Sequence, residues 1–238
     1  MRLPFFRKNV KKKQFTIAFY NVENLFDTEF NTATLDRDFT PLGAQQWTVD
    51  KYRKKLTKLS NTISAIGDVE HRYPPVLVGL AEVENSTVLA ALLDTGPLKD
   101  LDYGFMHFDS PDERGIDTGL LYRKRLFEVI DAEPIALMVD NPGGVRDRTR
   151  DILYVKGILN GETVHVFVNH WPSRRDGGVE TEYKRMRAAQ LIIERITLLK
   201  ATEVDCNIIV MGDFNDDPSS KSMQLLTTEA GLFNPMET

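Results

Sequence analysis

The sequence predicts an α/β sandwich in which strand–helix–strand units are mixed with antiparallel hairpins. Three observations carry that expectation. Short β-branched and aromatic runs recur along the chain, two long segments show helical apolar periodicity, and Asn160-Gly161 separates two strand-like runs. The first strand is expected over 15–20, a Phe-Thr-Ile-Ala-Phe-Tyr run leading into Asn21. A polar loop over 27–47 contains Pro41 and Gly43. A helix follows, because Val49, Tyr52, Leu56, Leu59, Ile63 and Ile66 recur every three or four residues as one apolar stripe. Thr48 suits its N-cap and Gly67 its stop. Pro74-Pro75 resets the chain into 76–81, a continuous apolar run of the kind found in strands covered on both faces.

Further strands are expected over 103–108, 118–122, 127–135, 152–159, 163–169 and 207–211. Asn160-Gly161 suits a type I′ turn and marks 152–159 and 163–169 as a hairpin. A second long helix is expected over 180–200, with Tyr183, Met186, Ile193, Ile196 and Leu199 on its apolar face. A short one is expected over 219–230, opened by Pro218-Ser219. There is no internal repeat or low-complexity block, and a single domain over 14–238 is the expectation.

Composition narrows the classes. The chain has 238 residues, 42% hydrophobic and 27% charged, which suits a globular fold and not a disordered one. One cysteine, Cys206, makes no internal disulfide, so the fold needs no oxidising compartment. No apolar run approaches the ~18 residues of a membrane span. The net charge is −5, but residues 1–13 hold six cations and no acid, so 14–238 must carry −11. A body that acidic is no broad cationic clamp for duplex nucleic acid, and any polyanion must be gripped by a few placed cations or a metal. The basic tail 1–13 is expected to be a poorly ordered, solvated terminus, with a membrane-surface or nucleic-acid arm as the other reading. No apolar stretch of about 7–15 residues follows its charges, so a cytoplasmic location is expected.

Four polar clusters lie at the ends of apolar strands, where rigid elements present site residues. In Gly212-Asp213-Phe214-Asn215-Asp216-Asp217, Asp213 and Asn215 share a face if extended, and Gly212 permits close backbone approach. A carboxylate beside an amide donor can align a water or bind a metal while the amide holds a phosphoryl oxygen. An Asp/Asn-rich turn before a helix is the competing reading. Glu82 follows the 76–81 run directly, a poor place for a merely solvated carboxylate and a good one for a ligand to Mg²⁺. The alternative is that Glu84 and Asn85 begin a helix whose positive end Glu82 favours, and Glu84 is the second choice as ligand. Asn21 ends its strand as a phosphate donor or as an ordinary turn residue. In 164–175, Val164, Val166 and Val168 alternate onto one face, and His170 stands at the far end beside Asn169 and ahead of Arg174 and Arg175. Imidazole can donate to a phosphoryl oxygen there, and arginine forks suit phosphate. His165, His71 and His107 read as structural.

Together and in this order, these clusters resemble the endonuclease/exonuclease/phosphatase superfamily. Residues 19–21 resemble its first strand motif, Glu82 its metal-binding glutamate, and Asn169-His170 with the following arginines its third motif. Gly212-Asp213-Phe214-Asn215 is its most recognisable signature, and Asp117-Thr118-Gly119-Leu120-Leu121-Tyr122-Arg123 resembles an internal strand. The likeness spans 15 to about 226. It implies a four-layered α/β sandwich of two mixed β-sheets flanked by helices, and Mg²⁺- or Mn²⁺-dependent hydrolysis of phosphate esters. By carry-over, Glu82 holds the metal, Asn21 orients water or phosphate, and His170 contacts the scissile phosphate. Asp213 orients or deprotonates the nucleophile and Asn215 steadies the developing charge. Arg150, Asn169, Arg174 and Arg187 are candidates for phosphate contact, with charged-loop and helix-face ion pairs as the competing readings for Arg150 and Arg187.

The family closes with a strand-end Asp-His pair. This chain has no such dipeptide and reaches Thr238 soon after the helix that follows Asp213. The resemblance therefore implies either a sandwich incomplete at its C-terminus, with an exposed sheet edge, which is the expectation, or an unusual member that completes its site otherwise. The expected activity is that of a phosphodiesterase or nuclease, with nucleic acid a possible substrate and no protein partner indicated. A phosphomonoesterase, an inositol phosphate or phospholipid hydrolase, and a non-catalytic phospho-ligand scaffold are the alternatives.

Overall fold

Strands β1 (Ile17–Leu25) and β2 (Leu77–Val83) run parallel, because helix α1 (Val49–Ala65) carries the chain back along the outside of their sheet. In this computed structural model the described residues are 13–67, 74–175, 177–203 and 206–237. His71 and all of the basic tail except Lys13 lie outside them. Helix α2 (Ser86–Leu93) follows β2, and β3 (Tyr103–His107) and β4 (Asp117–Arg123) complete the first sheet in the order β1-β2-β4-β3. The second sheet, ordered β10-β9-β8-β5, contains β5 (Phe127–Ile135), β8 (Ile152–Leu159), β9 (Glu162–His170) and β10 (Asn207–Asp213). A small pair, β6 (Val139–Asp140) with β7 (Arg146–Asp147), lies between β5 and β8 in the chain. Helix α3 (Glu182–Thr202) makes β9 and β10 parallel, and α4 (Lys221–Ala230) packs beside it. Asn160 and Gly161 turn the β8–β9 hairpin with φ of 52° and 88°, as a type I′ turn demands.

The core falls into three seams, which makes four layers. Leu56, Leu59 and Ile63 of α1 and Val88, Leu89 and Leu92 of α2 cover the outer face of the first sheet through Val78, Leu80 and Leu121. The two sheets meet through Leu77, Leu120, Leu153, Val164, Val166 and Val168. Tyr154, Phe167 and Trp171 then meet Ala188, Ala189, Ile192 and Ile196 of α3 and Met223 and Leu226 of α4. Burial of each large aliphatic side chain is worth about 2 kcal/mol. The alternation of Val164, Val166 and Val168 toward the opposite sheet is as expected. The expected face of α3 holds in part: Ile196 is buried and Ile193 and Leu199 pack partly buried against the same core, while Tyr183 is exposed. The buried stripe also includes Ala188, Ala189 and Ile192, whose small and branched side chains let the helix lie close to the sheet.

β1 and β10 are the adjacent edge strands of the two sheets. Beside them Phe19, Met211, Phe214, Met223, Leu232 and Phe233 line a largely apolar groove of about 410 Å³. Among the described residues no helix is long and apolar enough to cross a membrane.

Candidate active site

The parallel pairs β1–β2 and β9–β10 end at the same place, and Asn21, Glu82, His170 and Asp213 stand at their C-terminal ends. Asn21 lies opposite Ala81, and Asp213 opposite His170. Register shifts follow in β1 between Asn21 and Leu25 and in β2 between Ala81 and Val83. Such bulges re-aim side chains at the rim of a sheet. Of the seven described non-glycine residues with positive φ, Glu23, Asn24, Glu82 and Asn215 belong to these strand ends. Each costs of order 1–2 kcal/mol, which the surrounding packing must offset.

Asn21 joins the two sheets. Its Nδ2 donates to Asp213 Oδ2 at 2.9 Å and to Glu82 Oε1 at 3.3 Å, and its Oδ1 accepts the Glu23 amide at 2.8 Å. The second Asp213 oxygen accepts the Asn215 amide at 3.0 Å, and Asn215 Nδ2 donates to the Trp171 carbonyl at 2.9 Å. Burial, then the charges of Arg150 and Arg114, pushes the His170 imidazolium down to a pKa of about 2. His170 is therefore neutral at ordinary pH. Its 3.8 Å approach to Glu82 Oε1 is a long polar contact and not an ion pair. Its Nδ1 is buried without a partner. Among the described residues no lysine or arginine forms an ion pair with Glu82 or Asp213. Two convergent carboxylates with no lysine or arginine in ion-pair contact suit a hard divalent cation that keeps several waters.

The other expected residues are placed differently. Asn169 is fully buried. Its amide donates to the Phe167 and Met211 carbonyls, and its oxygen accepts Trp171 Nε1 at 3.1 Å. The phosphate contact expected of Asn169 is thus not open to it, because its polar atoms are spent on tying β9 to β10. Gly212 is required beside it, since a Cβ there would lie 2.4 Å from the Asn169 carbonyl oxygen. Arg150 is 7% exposed, with Nη1 on Asp112 at 3.1 Å and Nη2 on the Trp171 carbonyl at 2.9 Å. It acts from behind the site, not as a free fork. Arg174 is exposed at the rim, split between Asp216 and Asp217. Arg187 pairs with Glu194 on its own helix at 2.7 Å and makes no bond to the strand-end group, so the helix-face reading applies. Glu84 accepts the Asp27 amide at 2.6 Å, and burial raises its pKa to about 7, so it anchors a loop while Glu82 faces the cleft. Asn85 does cap α2, accepting the Val88 amide at 3.0 Å.

Two residues were not singled out by the sequence. Arg114 is half-buried within electrostatic range of Glu82, Asp112, Arg150 and Arg175, and no hydrogen bond or ion pair engages its guanidinium among the described residues. Arg185 is 1% exposed and pairs with Asp216 at 2.9 Å, pinning the loop after Asp213 to α3. The only signal for Arg114 was its place in the charged loop just before β4. Two further groups bring possible ligand atoms within 4.8 Å of one another: His107 with Asp109 and Asp117, and His165 with Glu203 and Cys206. His165 is fully buried between the Tyr154 hydroxyl at 2.8 Å and Glu203 at 3.1 Å.

Comparison with known proteins places the fold. The model of the endonuclease/exonuclease/phosphatase family matches residues 16–231. No curated protein sequence matches the chain significantly. The structure is similar to mannosyl-6-phosphatase Bt3783 of Bacteroides thetaiotaomicron, with a TM-score of 0.59 and 14% identity over 91% of this chain and 71% of that one. It is similar to D. rerio TDP2 humanized by 14 mutations, with a TM-score of 0.56 and 16% identity over 89% of this chain and 66% of that one. The human Nocturnin catalytic domain with bound sulfate gives 0.53 and 15% over 73% of this chain and 63% of that one. At these identities the likeness is one of fold, and the chain spans about two thirds of the length of these structures.

Proposed function

The chain belongs to the endonuclease/exonuclease/phosphatase family, and from that premise we propose that it is a divalent-metal-dependent phosphodiesterase acting at the strand-end cluster. The observation that carries the reading is the Asn21 amide held between Glu82 of one sheet and Asp213 of the other. Glu82 would hold Mg²⁺ or Mn²⁺, with Asn21 and Asp213 beside it. When bound, the cation supplies Lewis-acid polarisation of a phosphoryl oxygen.

The chain's own residues do the remaining work. Asp213 is fixed by the Asn21 and Asn215 donors, and its free lone pairs accept a proton from the attacking water. The water oxygen bonds to phosphorus as the opposite P–O bond breaks, and the leaving oxygen departs with the electron pair as an alkoxide that solvent water protonates. Neutral His170 has one N–H with which to donate a hydrogen bond to a non-bridging oxygen. Arg114 places an uncommitted cation where negative charge spreads over the phosphoryl oxygens. Asn215 is held by Trp171, whose carbonyl is also fixed by Arg150.

The test is hydrolysis of an activated, generic phosphodiester by the 238-residue chain, with Mg²⁺ or Mn²⁺ against chelator. Metal-dependent turnover that disappears in a folded Asp213→Ala variant is the expected result. A folded wild-type chain without turnover in either metal, or full turnover in Asp213→Ala, overturns the reading.

A further inference from the structure

Helix α1 carries Lys51, Lys54, Lys55 and Lys58 at i, i+3, i+4 and i+7, a spacing that puts all four on one helix face. Together with Tyr20, Val22 and Trp47 they line a cleft of about 380 Å³. That cleft shares Glu23, Trp47, Lys51 and Lys55 with a second one of about 580 Å³, which Asn21, Phe39 and Glu82 also line. The lysine face is thus one wall of a groove that runs into the strand-end cluster.

Several other surface cations are paired with carboxylates. Lys99 pairs with Asp94, Lys124 and Arg125 with Asp102, Lys184 with Asp147 and Lys221 with Glu182. None of the four groove lysines has a carboxylate ion pair among the described residues. Lys51 donates to the Gln45 carbonyl at 2.7 Å. Lys55 donates to the Glu23 carbonyl and lies 5.7 Å from the Trp47 ring centroid. Lys54 and Lys58 extend into solvent. Of the acids near the stripe, Glu23 lines both clefts, Glu82 stands at the strand-end mouth and Asp50 precedes Lys51 on the helix. In a chain of net charge −5, a stripe of uncompensated lysines beside aromatic walls complements a polyanion.

We propose that this groove binds a single-stranded oligonucleotide whose phosphates follow the lysine stripe and whose bases meet Tyr20, Phe39 and the Trp47 edge. The proposal rests on the phosphodiesterase reading of the adjoining centre and names its substrate class. From Lys51 to Lys58 the helix rises about 10 Å, enough to meet two or three successive phosphates. Bare bases stack on aromatic side chains without regard to sequence. An anionic membrane is the lesser fit, since Val49 is the only large hydrophobic residue exposed on α1 and nothing there would enter a bilayer.

The test is fluorescence anisotropy of a short labelled oligothymidylate with the full chain in chelator, titrated with KCl. Two or three phosphate contacts give a log–log salt slope of about −1.4 to −2.1. Lys54→Gln combined with Lys58→Gln should weaken binding and make the slope shallower by about 0.7 or more, as at least one phosphate contact is lost. The charge-matched pair Lys124→Gln and Arg125→Gln should leave both unchanged. An unaltered slope in the groove variant, an equal loss in the control, or binding to phosphatidylserine vesicles that oligothymidylate does not displace overturns the proposal. Because binding is read without turnover, these failures leave the hydrolytic reading standing. Absence of diester hydrolysis, conversely, leaves the groove to be judged by its own slope.

Discussion

Replacing Arg150 by Met removes the charge while keeping most of the apolar stem, so it isolates the guanidinium's bonds from its packing. Two contacts disappear, to Asp112 at 3.1 Å and to the Trp171 carbonyl at 2.9 Å. Asp112 is 6% exposed and would keep only the Arg114 backbone amide, at 3.0 Å. A buried carboxylate stripped of its cation costs about 3–5 kcal/mol. For a chain of this length that corresponds to a fall in Tm of roughly 6–20 °C. Urea unfolding followed by tryptophan fluorescence and circular dichroism measures it. Adding Asp112→Leu to Arg150→Met should recover much of the loss, because an apolar pair no longer carries the desolvation penalty of the two charges. The same double-mutant cycle reports the coupling between the two positions. A loss below about 1 kcal/mol for Arg150→Met, or a double variant no better than the single one, would refute the argument that this arginine is structurally committed. Turnover offers a second readout: with the Trp171 carbonyl released, Asn215 loses a fixed partner, and activity should fall even at temperatures where the fold persists.

Three other outcomes are expected. Saturating Mg²⁺ should raise Tm by mass action, by about 2.7 kcal/mol of stability at a hundred times Kd, with the shift lost in Glu82→Gln and kept in Glu84→Gln; the reverse pattern would reassign the metal ligand. Arg114→Gln should lower turnover roughly 10²-fold or more with little change in Tm, as removal of a charge-stabilising donor does; equal activity would exclude it from the reaction. The Lys156 bond and contact with His165 hold the Glu203 carboxyl below its usual 4.5. A depressed folded-state pKa gives stability that is present above the unfolded value and lost as pH falls through the folded one. Wild type should therefore lose stability more steeply than Glu203→Gln below about pH 4.5, and parallel acid limbs in urea titrations would contradict this.

Much of the fold was legible because it is local. The stripe of α1, the alternation of Val164, Val166 and Val168, and the Asn160-Gly161 turn each report on residues a few positions apart. Helix α2 was visible only through its Asn85 cap, as the alternative to a metal role at Glu82 and Glu84, because Ser86–Leu93 is apolar on nearly every side and shows no period. The face of α3 was found only in part: Ile193, Ile196 and Leu199 do pack on the core, but the stripe is centred on Ala188, Ala189, Ile192 and Ile196. Residue type and order were enough to nominate Asn21, Glu82, His170 and Asp213, all of which the fold brings to one end of the paired sheets. They were not enough to sort the arginines. Whether Arg150 is consumed, Arg187 turned aside or Arg114 left uncommitted depends on acids far off in sequence, such as Asp112, which is 38 positions from Arg150. The lysine spacing of α1 was likewise visible in the sequence, but its meaning came from the strand ends beside which the helix lies. Backbone preference and burial act over a turn or two of chain. The pairing and desolvation of charge act through space, and only the tertiary structure says which charges share it.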